Sequence, residues 1–221
     1  MDNLKLISDY YHFSEVFDRL IYSKKNQNNK KNSFENLKKE IEKLSTIYNK
    51  NINNLVFADG SKNANLMIIG EAPGSVEEKM QKPFVGDAGK LLDKMLSSIN
   101  LLRKDTYITN VVNFRPPDNR KPTTTEINQF FPLIKKHVDL IKPKIILLLG
   151  STALETFFNK KYSITKIRGT WLEIQINNKI YDCLPSFHPA FLLRQPDQKK
   201  FSWVDLKLIR DRLAKINSVY G

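Results

Sequence analysis

The sequence predicts an α/β fold, with a mostly parallel sheet covered by helices on both faces. Three observations carry this. Short apolar runs at 65–70, 106–112 and 144–150 read as strands. The last of them, "KIILLLG", is almost wholly apolar, as a strand covered on both sides must be. Between the runs lie amphipathic helical patterns, and strands alternating with helices build a parallel sheet between two helix layers. In such sheets ligands bind at the carboxyl ends of the strands, so functional residues are sought there.

Taken in order, residues 1–50 differ from the rest. "SDYYHFSEVFDRLIYSKK" reads as a helix, "KNQNNKKNS" as a polar linker, and "FENLKKEIEKLSTIY" places Phe34, Leu37, Ile41, Leu44 and Tyr48 at helical spacing. This is a helical extension without visible chemistry, followed by an α/β domain over 51–221. Strand 65–70 is followed by the helical pattern "GDAGKLLDKMLSSINL". After strand 106–112, Thr123 and Glu126 match a capping box that opens "TTTEINQFFPLIKKHVDLI". Pro132 falls inside that helix and predicts a kink. "TWLEIQINNKIYDCLPSFH" reads as a hairpin turning at Asn177-Asn178, and "FSWVDLKLIRDRLAKI" as a closing amphipathic helix.

Composition narrows the partner. Lys and Arg outnumber Asp and Glu by 36 to 23, a net charge of +13 that favours a polyanion. No apolar run approaches the roughly 20 residues of a membrane span, and the N-terminus lacks a secretion signal, so a cytoplasmic protein is expected. The single cysteine, Cys183, excludes an internal disulfide and a cysteine-built metal site. The histidines, His12, His137 and His188, are scattered, so no metal site is expected.

Four strand ends bring unlike chemistry to one edge. The first strand ends in Gly70-Glu71-Ala72-Pro73-Gly74, the second near Asn110, the third at Gly150-Ser151 and the fourth at Ser186-Phe187-His188-Pro189-Ala190. The loop after the second strand carries Arg115, Asn119 and Arg120, and the loop after the first carries Phe84. An asparagine offers one donor and one acceptor, which suits a pyrimidine edge. A phenylalanine offers a face for stacking. A histidine N–H can meet developing negative charge, and arginines can hold phosphates. Together these describe a pocket for a base flipped out of DNA.

The segments "GEAPGSVEEKMQKPFVGDAGKLL", "TNVVNFRPPDNRKPT", "KPKIILLLGSTA" and "SFHPAFLLRQP" resemble the uracil-DNA glycosylases. The resemblance covers roughly 55–215 and is closest to the family 4 type, usually found with an iron–sulfur cluster. It implies a three-layer α/β/α fold with a central four-stranded parallel sheet, and a DNA repair enzyme that hydrolyses the N-glycosidic bond of uracil. Gly70, Ala72, Pro73 and Gly74 would belong to the first catalytic motif, with Glu71 near the attacked sugar. Phe84 would stack on uracil, Asn110 would read its polar edge, and Glu77 and Asn119 would stand near the pocket, Asn119 in the catalytic set. His188 would stabilise the departing uracil anion. Pro189, Ala190, Leu193 and Arg194 would press into the DNA, with Arg115 and Arg120 on its phosphates. Related glycosylases with a water-activating Asp carry it where this chain has Ala72, so no general base is named.

One departure is large. The family's four cluster cysteines would fall near Lys43, Thr46, Phe114 and Phe130, and none is cysteine. The iron–sulfur cluster is therefore expected to be absent, with Phe114 and Phe130 filling its space, and no other cofactor is implied. The expected partner is uracil-containing DNA, single- or double-stranded, bound by a monomer away from any membrane. Three roles fit residues 1–50: capping the sheet, meeting a protein partner, or adding basic charge. Two other readings stand beside the enzyme. A non-catalytic DNA-binding relative is disfavoured by the intact Glu71, Asn110 and His188. A small-molecule α/β hydrolase would show no salt-sensitive DNA binding.

Overall fold

The computed structural model describes residues 30, 33–159 and 161–220. The chain divides into two compact units, Met1–Lys39 and Glu40–Gly221. In the first, residues 33–39 are helical, and the expected helix over 8–25 and most of the linker lie outside the described residues. The second unit holds the α/β fold. Among the described residues no helix is long and apolar enough to cross a membrane.

The sheet has six strands: β1 (Asp59–Gly60), β2 (Leu66–Gly70), β3 (Thr106–Asn110), β4 (Ile145–Leu149), β5 (Leu172–Ile176) and β6 (Lys179–Ser186), in the order β1-β3-β2-β4-β6-β5. β3, β2, β4 and β6 run parallel and form the expected four-stranded centre. Two antiparallel edges extend that centre to six strands, β1 on β3 and β5 on β6. β5 and β6 are the hairpin read from the sequence, and Asn177 makes its turn at φ 52°. β1, only two residues long, gives no periodicity to read.

Strand alternation sorts the faces. Leu66 and Ile68 of β2, Ile108 of β3, Ile145, Leu147 and Leu149 of β4, and Leu184 of β6 join one buried cluster. Against it pack Leu92, Met95 and Leu96 of α2 (Asp87–Ser97) and Leu206, Ile209 and Leu213 of α7 (Lys199–Tyr220). On the opposite face Tyr107 of β3 meets His137 of α3 (Thr124–Ile141). α3 starts on the expected capping box: Thr123 N–H donates to Glu126 at 2.7 Å and Glu126 N–H to Thr123 Oγ1 at 3.2 Å. It runs as one element through Pro132. Four shorter helices stand among the described residues: α1 (Ser75–Met80), α4 (Ser151–Phe158), α5 (Ile164–Ile167) and α6 (Pro189–Arg194), the last before α7.

Register fixes the functional edge. Gly70 pairs with Asn110 across β2 and β3, and Leu149 pairs with Ser186 across β4 and β6. The chain therefore leaves the sheet at Glu71, Val111, Gly150 and Phe187 from one edge.

Candidate active site

At that edge lies a cavity of about 350 Å³, lined among others by Glu71, Phe84, Asn110, Asn119 and His188. Ala72, Pro73, Gly74, Glu77, Arg120 and Ala190 complete its share of the expected residues. Gly70 sits behind the wall. A Cβ there would fall 2.4 Å from the Phe84 ring and 2.5 Å from Asn110 Oδ1, so only glycine lets these two side chains close over the strand end.

Asn110 follows from alternation. It shares the face of Ile108 and points out of the strand end towards Phe84. It is 2% exposed, and its Oδ1 has no hydrogen-bond partner. A buried acceptor without a donor is costly and is rarely kept without a reason.

Phe84 is 5% exposed, and its ring centroid stands 5.4 Å from that of His188. Its loop is fastened by Glu77. That carboxylate accepts from Val85 N–H at 3.0 Å, Gly86 N–H at 2.8 Å and Gly74 N–H at 3.2 Å. Glu77 thus ties the first motif to the phenylalanine loop.

His188 caps α6. Its Nδ1 accepts from Ala190 N–H at 3.2 Å, which leaves the proton on Nε2. Burial, helped by the Arg194 charge and opposed by Glu77, lowers its pKa to about 4. The ring is therefore a neutral N–H donor at neutral pH. Pro189 is buried at the first position of α6.

Glu71 is half-buried and accepts from the hydroxyl of Thr152, in the first turn of α4. Thr152 was missed in the sequence, because nothing local links it to a carboxylate 81 residues earlier. Asn119 is exposed at φ 53°, and its Oδ1 accepts from Arg115 Nε at 2.8 Å.

The arginines are less free than the sequence implies. Arg115 also bonds Glu78 at 3.3 Å, and Arg120 forks onto Glu126 at 2.9 and 2.6 Å. Arg120 and the Thr123 N–H hold the Glu126 pKa down to about 2 against burial. Leu193 is 44% exposed on α6. Arg194 lines a second cavity of about 550 Å³, which adjoins the first across Glu71, Asn119 and His188.

The positions expected for cluster ligands do not suit one. Lys43 and Thr46 are exposed, whereas Phe114 and Phe130 are 0% exposed with ring centroids 6.5 Å apart. Iron–sulfur clusters are held chiefly by cysteine thiolates. The chain has one cysteine, Cys183, buried in β6 with its thiol pKa pushed up to about 12. Among the described residues no group of three His, Cys, Asp or Glu is placed to hold a metal ion.

Comparison with known proteins gives the family. Residues 57–211 match the family model of the uracil DNA glycosylase superfamily. The chain is 41% identical over 163 residues to a type-4 uracil-DNA glycosylase of Sulfurisphaera tokodaii, covering 72% of this chain and 74% of the relative. It is 41% identical over 145 residues to the one of Thermotoga maritima, covering 65% and 74%. It is 36% identical over 166 residues to that of Archaeoglobus fulgidus, covering 73% and 83%. The chain belongs to the uracil DNA glycosylase superfamily.

Proposed function

We propose that the protein is a uracil-DNA glycosylase of DNA repair, which takes uracil out of the duplex or single strand and hydrolyses its N-glycosidic bond. The observation that carries this is the buried, unpartnered Oδ1 of Asn110, a residue that lines one cavity with Phe84 and His188. Uracil brings the missing donor: its N3–H meets Oδ1 and its O4 meets the amide N–H. Phe84 stacks on the ring. The C1′–N1 bond breaks with its electron pair passing to uracil, and His188 Nε2–H faces the charge that develops on O2. A fixed neutral donor in a partly dry site stabilises that anion without reorganising. Glu71, held by Thr152, lies on the sugar side and favours the cationic sugar. Water adds its oxygen to C1′ and releases a proton, leaving an abasic site. Asn119 stands at the same rim.

The rest of the reading concerns what surrounds the pocket. DNA lies across the edge, with Pro189, Ala190, Leu193 and Arg194 at the vacated position and Arg115 and Arg120 towards its phosphates. The enzyme works in the cytoplasm as a monomer and without a cluster, because the chain lacks the thiolates. For residues 1–50, the extension read from the sequence, the proposed role is to meet a protein partner.

The test is cleavage of a labelled oligonucleotide carrying one uracil, followed by alkali. Wild type is expected to cut at uracil alone, and His188→Ala to lose about 100- to 1,000-fold, the loss typical of a removed anion donor. Salt-sensitive DNA binding without cleavage would instead make the protein a non-catalytic relative.

A further inference from the structure

We propose that Arg103 is a positioning residue, which holds the stacking face of Phe84 in place from outside the pocket. This rests on the glycosylase reading above. Phe84 has a backbone φ of 53°, in the left-handed region. A bulky side chain stays there only where its surroundings over-determine it. Two charged groups do so from opposite sides. Glu77 takes the N–H groups of Val85 and Gly86. Arg103 takes the carbonyls just before them: Nη1 donates to Phe84 O at 2.9 Å and Nη2 to Pro83 O.

The guanidinium is itself fixed. Its Nε donates to Asp59 at 2.6 Å, and Nη1 also reaches Asp93 at 3.2 Å. Asp59 lies in the two-residue β1 and Asp93 in α2, so one fork joins an edge strand and a helix to the loop. Gly89 of α2 closes the remaining freedom, since a Cβ there would fall 1.9 Å from the Phe84 carbonyl oxygen. Arg103 is only 20% exposed and is not part of the cavity wall. It therefore acts on a bound base through Phe84. The segment also runs into β3, the strand that ends on Asn110, and Thr106 Oγ1 donates to the Arg103 carbonyl at 2.8 Å. A lysine could replace the charge but not the planar fork.

The experiment is a double-mutant cycle on cleavage of the uracil oligonucleotide, with inhibition by free uracil as a second readout. Arg103→Met is expected to lower kcat/KM about 10- to 100-fold, as a displaced positioning group does. It should raise the uracil inhibition constant in parallel. In a Phe84→Ala background the same change should cost less than about twofold, because its route of action is gone. Equal losses in both backgrounds, or unchanged uracil inhibition, would overturn the role. Should Arg103→Met not fold, Arg103→Lys is read in the same cycle, since it keeps a charge for Asp59 and Asp93. Wild-type kinetics in Arg103→Lys would also overturn the positioning role, with the glycosylase reading intact. A wild type that leaves uracil uncut overturns both.

Discussion

Two asparagines three residues apart mark the two sides of this molecule. Asn110 and Asn113 are each 2% exposed. The amide N–H groups of Asn113 are satisfied: they donate to the carbonyls of Val56 at 3.0 Å and Phe57 at 3.1 Å, with Thr109 Oγ1 at 3.5 Å. Asn110 lines the cavity, and its buried Oδ1 has no partner. The histidines divide by place rather than by satisfaction, since the buried Nε2 of His137 also has no partner. His188 lines the cavity and keeps an N–H for it, whereas His137 is 0% exposed behind β3, bonded to Tyr107 at 2.8 Å and packed on Phe57. Burial alone does not distinguish a functional polar group from a structural one. What distinguishes it is whether an unmet bond faces a space that a ligand can fill.

The contrast is sharpest under substitution. Asn110→Ala is expected to lower uracil cleavage about 100-fold or more, since the site is left without the groups that pair the base. Its melting temperature should hold or rise, because a buried unmet acceptor is removed. A large fall in stability without loss of turnover would break the comparison. Asn113→Ala should do the reverse: a loss of about 2–4 kcal/mol in chemical denaturation, from the carbonyls it strands, with turnover kept while folded.

Acid offers a third test, now on the histidines. Burial lowers His188 to about 4 and His137 to about 3, against an ordinary 6.5. Between these values and 6.5 the unfolded chain binds protons that the folded chain refuses. The stability from both rings is thus full above about 6.5 and is lost as pH falls towards 4 and then 3. Ring resonances followed by NMR should titrate in those ranges, and His137→Gln, which still accepts from Tyr107, should flatten the pH slope. The smallest effect belongs to the cap of α3. Thr123→Ala should cost about 1 kcal/mol in denaturation and leave cleavage unchanged.

Much of this was legible because it is local. Gly70-Glu71 at the end of an apolar run, Asn110 two residues after Ile108, and the Thr123–Glu126 box each declare themselves within a few positions. The hairpin at Asn177 did so too. What stayed hidden depends on partners far apart in the chain. Arg103 meets Asp59 across 44 residues, and Thr152 meets Glu71 across 81. Nothing in "PDNRKPTTTE" says that Arg120, read as a phosphate contact, also pairs with Glu126. The edge strand β1 had no signal of its own, because a two-residue strand owes its existence to its neighbour rather than to its own pattern. The left-handed backbone of Phe84 has no sequence signal at all, since phenylalanine does not ask for it.

The paired rings of Phe114 and Phe130 bear on how the protein comes into being. Its interior at those positions is closed by carbon supplied in the chain itself. On the reading proposed above, folding need not wait on iron, sulfide or the machinery that delivers them, and Phe114 and Phe130 offer an oxidant no metal–thiolate bond to break. On the proposed reading without a cluster, a cell short of iron would keep this protein in working order while its cytosines go on deaminating by hydrolysis.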